Sequence, residues 1–133
     1  MLKLHNTYSN TVEEFKTNSD SVKIYLCGPT VQSSPHIGHG RSAVVFDFLI
    51  RYLVYLDYEV NFVRNITDIE DKIIERAALE GITTKELAER VTKEFQDAYS
   101  SLNCLPPDNE PRATETIDPV SYTHLTLPTS LAG

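Results

Sequence analysis

The residues Val22–Cys27 (Val-Lys-Ile-Tyr-Leu-Cys) alternate apolar and polar, then turn continuously apolar before Gly28-Pro29. That pattern predicts a strand that enters an interior and stops at a turn. From Gly38 to about Leu56 the period changes. Phe46, Leu49, Ile50, Leu53 and Leu56 recur at three and four, with Ala43 and Val45 on other faces. A helix apolar nearly all round is expected to be buried between layers. Glu59–Arg64 returns to period two and predicts a second strand. Strand, helix, strand is a βαβ unit, with parallel pairing and a right-handed crossover.

Further along, Ile69, Ile73 and Ala77 mark a second helix ending at Gly81. Thr83 and Glu86 stand at capping-box spacing and open a third, striped by Leu87, Val91, Phe95, Ala98 and Leu102. Glu86–Arg90 and Glu89–Lys93 are expected ion pairs on its wet face. Pro106-Pro107 ends it, and Leu105–Gly133 lacks a sustained period, which predicts extended or disordered chain. Leu2–Phe15 mixes β-formers with Asn and Thr and is expected to form a loose hairpin.

These elements imply an α/β fold, a Rossmann-like parallel sheet with crossover helices. Composition narrows the class only a little. The chain has 133 residues, 41% hydrophobic and 23% charged, within the range of one small globular domain or part of a larger one. No apolar run approaches the length of about 20 residues needed to cross a bilayer, so no membrane association is expected. Nor does Met1–Asn6 lead into an export signal. Twelve basic against nineteen acidic side chains give −7, which lends no support to nucleic-acid binding through overall charge. Cys27 and Cys104 stand at no metal or redox spacing, so a reducing, cytoplasmic setting without a disulfide is expected.

Candidate chemistry gathers in Cys27-Gly28-Pro29-Thr30 and Pro35-His36-Ile37-Gly38-His39-Gly40-Arg41. Both runs lie between the carboxyl end of the first strand and the start of the long helix, the edge where open α/β sheets bind ligands. A helix N-terminus offers unpaired N–H groups to phosphate oxygens. Imidazoles there can stabilise charge building on a phosphoryl group. Gly38 and Gly40 are expected to let a polyphosphate or adenine approach the backbone. The Gly-Lys-Ser/Thr of a P-loop is absent. A short His-x-x-His run is often only a solvated turn, and a single cysteine is more often packing than ligand. Here the strand before and the helix after favour a site.

With those residues in view, Val22–Ile117 resembles the amino-terminal part of the cysteinyl-tRNA synthetases, class I aminoacyl-tRNA synthetases. CGPTVQSSPHIGHGRSAVVFDFLIRYL resembles their Cys-Gly-Pro-Thr strand end joined to the His-Ile-Gly-His signature. VRNITDIEDKIIERA resembles their second-strand block, and LPPDNEPRATETI their later Pro-rich connection. The resemblance implies ATP-dependent activation of L-cysteine and its transfer to tRNA(Cys), with Mg2+ accompanying ATP. It makes Cys27 one of four Zn2+ ligands, and His36 and His39 the catalytic pair. Pro29, Thr30, His36, Gly38 and His39 match ATP-binding positions; Gly28, Thr30, Asn65, Thr67 and Asp68 match the amino-acid pocket. Asp68 is equally a candidate N-cap for the second helix. Glu70 stands where the family more often has Asp. Zinc suits the task, since a soft thiolate ligand separates cysteine from serine better than pocket size does.

The family's other three zinc ligands and its Lys-Met-Ser-Lys-Ser loop have no match in this chain, and His5, His124 and Cys104 match no family ligand. The resemblance therefore implies residues 1–117 as the amino-terminal part of a catalytic domain, inactive alone. Residues 118–133 are expected to be a non-family tail, either disordered and divergent or the conceptual translation of a sequencing-library adapter, which they resemble. Two alternatives are an ATP-dependent cysteine:glucosaminyl-inositol ligase of mycothiol synthesis and a non-catalytic nucleotide-binding half-domain.

Overall fold

In the computed structural model, residues 2–17 and 19–117 are described; the tail from Asp118, with His124, lies outside them. A hairpin of β1 (Lys3–Asn6) and β2 (Thr11–Glu14) precedes β3 (Ser21–Leu26), the strand expected over Val22–Cys27. The hairpin is antiparallel, with Lys3 opposite Glu14, and forms a sheet of its own. Its one aromatic anchor is Phe15, set edge-on to Tyr58 at 6.0 Å.

β3 pairs in parallel with β4 (Glu59–Arg64), from Ser21 opposite Glu59 to Leu26 opposite Arg64. Helix α1 (Ile37–Tyr55) connects them, so the expected strand–helix–strand unit forms. Its burial differs from expectation. Ala43, Ile50 and Leu53 are buried, but Val45, Phe48 and Tyr55 are 57%, 70% and 79% exposed. The physical reason is that β4 and α3 (Thr84–Ser101) pack on one side only, and no described element covers the other. Apolar periodicity reports what a helix can bury, not what is there to cover it. On the bare side Phe48 stacks on Tyr52 with centroids 6.5 Å apart.

Two further helices complete the core. α2 (Asp71–Glu80) starts later than the spacing from Ile69 suggested: Glu70 is its N-cap and Ile69 is half exposed before it. It ends at Gly81, whose φ of 68° is left-handed. In α3, the Thr83 hydroxyl accepts from the Glu86 N–H at 3.1 Å, and the Glu86 carboxylate accepts from the Thr83 N–H at 2.8 Å. That reciprocal cap occupies Glu86, so the expected Glu86–Arg90 pair does not form. Arg90 reaches Glu80 at 2.6 Å and Glu94 at 3.9 Å instead. Glu89 likewise faces Lys85 rather than Lys93, which pairs with Asp97. Leu87, Val91 and Phe95 face the core with Ile73, Ala77, Val31 and Ile66. Leu102, expected on that stripe, is 47% exposed, and Tyr99 takes the buried place.

The Pro-rich connection is extended but ordered. It runs along the edge of β4 away from β3. Asp108 N–H donates to the Phe62 carbonyl at 2.8 Å, Arg64 N–H to the Asn109 carbonyl at 3.1 Å, and Ile66 N–H to the Pro111 carbonyl at 2.9 Å. The Asp108 carboxylate accepts from the Phe62 N–H at 2.6 Å. Backbone hydrogen bonds carry the order here, so an apolar period could not reveal it. The segment ends in a short 3-10 turn, Ala113–Glu115.

Candidate functional site

β3 delivers its last residue, Leu26, to the carboxyl edge of the sheet, and Cys27 to Thr30 continue past it. Gly28 N–H donates to the Asn65 side-chain oxygen at 2.9 Å. A Cβ at Gly28 would stand 1.5 Å from the Asn65 carbonyl oxygen, so only glycine fits between the strand ends. Thr67 N–H donates to the Pro29 carbonyl at 3.0 Å, and Val31 N–H to the Thr67 carbonyl at 3.1 Å. Asn65 also donates from its side-chain amide to the Thr67 hydroxyl at 3.3 Å. Asn65 and Thr67 thus stitch the loop from behind.

The histidines begin α1 by capping each other. His36 is the N-cap; its Nδ1 accepts from Gly38 N–H at 3.1 Å, and Nδ1 of His39 accepts from His36 N–H at 3.2 Å. The rings lie 3.9 Å apart, and His39 meets Phe95 edge-on at 4.9 Å. With both Nδ1 atoms accepting, the neutral rings carry hydrogen on Nε2 and present two donors. Burial, and secondarily the neighbouring His36, hold the His39 pKa below its ordinary value, favouring the neutral ring. Both glycines also allow close packing at the start of α1. A Cβ on Gly38 would fall 2.9 Å from the His36 ring, and one on Gly40 3.1 Å from Leu102.

One cavity of about 300 Å3 is lined by Cys27, Gly28, Pro29, Thr30, His36 and His39, with Gln32, Ser33, Ser42, Arg64 and Tyr99. The separate runs of sequence therefore meet at the sheet's carboxyl edge. Gly38 lies under the His36 ring, and Asn65 and Thr67 stand behind the loop. Asp68 is elsewhere. Its carboxylate accepts from Thr114 N–H at 3.0 Å and from the Thr114 hydroxyl at 2.7 Å, and it lines a different cavity with Lys85 and Arg112. It does not cap α2 either, because Glu70 holds that position. Arg64 and Tyr99 were missed. The available signal for Arg64 was an arginine on the same strand face as Val60 and Phe62, where burial is the rule.

As to a metal, Cys27 is an exposed thiol at the cavity. Among the described residues no three His, Cys, Asp or Glu side chains gather as ligands. A tetrahedral zinc site needs four donors, so these residues do not fit one by themselves. Among them, too, no helix is long and apolar enough to cross a membrane.

Residues 13–126 match the family model described as the tRNA synthetases class I (C) catalytic domain, a match that runs past Ile117. The chain is 54% identical over 121 residues to the cysteine–tRNA ligase of Sodalis glossinidius, covering 90% of this chain and 26% of that one. It is 51% identical over 119 residues to the cysteine–tRNA ligase of Rickettsia rickettsii, covering 87% and 26%. For that of Shewanella loihica the identity is 49% over 116 residues, covering 86% and 25%. The chain spans about a quarter of the length of these relatives.

Proposed function

Because the chain belongs to the family of class I tRNA synthetase (C) catalytic domains, we propose that it carries the ATP- and cysteine-binding edge of a cysteine–tRNA ligase. One observation supports this most: Cys27, Thr30, His36 and His39, from two separate runs, line a single cavity where α1 begins. In the proposed reaction a carboxylate oxygen of L-cysteine attacks the α-phosphorus of Mg2+-bound ATP. The bond to the β-phosphate oxygen breaks and pyrophosphate leaves. The terminal ribose hydroxyl of tRNA(Cys) then attacks the carbonyl of the adenylate, losing its proton as AMP departs. His36 and His39 contribute Nε2–H donors to the charge that builds on the phosphoryl oxygens. Thr30, Pro29 and Gly28 line the walls; Asn65 and Thr67 keep those walls in place. The proposed compartment is the cytosol. The amino-sugar alternative draws no support from the relatives named above.

The test is a chimera in which residues 1–117 replace the corresponding segment of a full-length relative. Cysteine-dependent exchange of pyrophosphate into ATP is expected. A folded chimera with no exchange would overturn the reading.

Cys27 offers one soft ligand to zinc. The 133-residue chain is expected to hold zinc weakly, losing it on dialysis, because one thiolate cannot supply a tetrahedral set. Stoichiometric zinc in metal analysis after dialysis would contradict this assignment.

A further inference from the structure

Arg64 ends β4 with its side chain only 6% exposed. A buried guanidinium needs compensation. It receives some from Glu110: Arg64 Nε and Nη2 donate to one carboxylate oxygen at 3.3 and 2.9 Å. Gln96 donates to the other oxygen of Glu110 at 2.8 Å, fixing that carboxylate. The Tyr99 ring covers the guanidinium with its centroid 4.3 Å from Cζ. Nη1 is left without a protein partner among the described residues. The stem of Arg64 supports the loop, since its Cγ would be 3.2 Å from a Cβ on Gly28.

The charge pattern of the cavity points the same way. The chain carries −7 in all, yet no carboxylate lines the site cavity, and Arg64 is its one permanently charged side chain. Two of the other polar walls are the histidine donors. A cavity with donors, one buried cation and no acid suits an anion.

We propose that Arg64 anchors an oxyanion of the ligand, a carboxylate or a phosphate, through Nη1, with Glu110 and Gln96 holding the guanidinium in place. This rests on the amino-acid and nucleotide reading above. It differs from a purely structural ion pair in one respect. A structural pair affects all ligands alike, whereas an oxyanion anchor affects only ligands that carry the anion.

The experiment titrates the 133-residue chain, under reducing conditions and followed by NMR, with L-cysteine, cysteamine, AMP and adenosine. The variants are Arg64→Lys, which keeps the charge without the fork, and Arg64→Met/Glu110→Gln, which removes both charges so that neither is left buried alone. The parent is expected to prefer L-cysteine over cysteamine, or AMP over adenosine, by about tenfold or more, the scale of one charge-assisted hydrogen bond. The double variant should lose that preference while binding cysteamine and adenosine as the parent does. Loss for the cysteine pair alone identifies the carboxylate; loss for the AMP pair alone identifies the phosphate. An unchanged preference in a folded variant overturns the proposal, as does failure of both variants to fold. If the folded parent binds none of the four, the proposal fails, while the functional reading stands or falls separately on exchange by the chimera.

Discussion

Gly28→Ala is expected to destabilise the chain by more than about 3 kcal/mol, at or beyond the upper end of ordinary overpacking, and to leave little cooperative unfolding in urea. The added carbon would sit 1.5 Å from the Asn65 carbonyl oxygen and 3.2 Å from Arg64 Cγ. Neither obstacle can retreat cheaply. The Asn65 peptide lies between Arg64, whose N–H is bonded to Asn109, and Ile66, whose N–H is bonded to Pro111. The Arg64 stem is held by Glu110 at its far end. Moving Gly28 instead breaks its bond to the Asn65 side chain and carries Cys27 with it. Gly81→Ala supplies the contrast. There the φ of 68° is unfavourable for a side chain, but nothing lies within 4 Å of the new Cβ. Left-handed strain alone costs about 1–2 kcal/mol. Comparable unfolding midpoints for the two variants would show that the collision at Gly28 is relieved in a way the strand ends do not suggest.

The parts of the fold with a local cause were legible in the sequence. The period change at Gly38, the return to alternation at Glu59 and the Thr83–Glu86 cap each specify an element from neighbouring residues. What escaped depends on distant partners. The ladder of residues 108–113 on β4 rests on backbone bonds from a Pro-rich segment, which leave no hydrophobic trace. The exposed side of α1 was misjudged because apolar composition does not say which neighbours are present. The same division runs through the site. Cys27, His36 and His39 could be expected to share one cavity because they sit beside neighbouring strand and helix ends. Asp68 stands apart from that cavity because it is bonded to Thr114, far along the chain, and the place of Arg64 was not legible because its partner Glu110 is equally remote.

His39→Ala in the chimera is expected to lower the rate of cysteine-dependent pyrophosphate exchange by about 10²–10³, with the KM for cysteine changed only a few-fold. In the proposed reaction the donor lost is Nε2–H, which would matter only while charge builds on the phosphoryl group, so the effect belongs in the rate constant. His36 requires a finer test because it has two roles. Its Nδ1 caps α1 through the Gly38 N–H, and losing a cap costs about 1 kcal/mol. His36→Asn keeps a side-chain acceptor for that N–H but removes the imidazole donor. It should therefore restore the stability lost in His36→Ala without restoring the rate. The two histidines are also tied through protonation. His39 Nδ1 must stay unprotonated to accept from His36 N–H, and its pKa lies below the ordinary histidine value in the folded chain. A depressed pKa of this kind contributes stability above the unfolded value, which is lost as pH falls through the folded one. The reciprocal cap is accordingly expected to persist somewhat below the ordinary histidine range and then open. Exchange activity and α1 helicity should fall together on the acid side in the parent. In His39→Ala that step in helicity should be absent; if it persists unchanged at the same pH, another group controls the cap and the pairing of the two imidazoles is not what sets the geometry of the site.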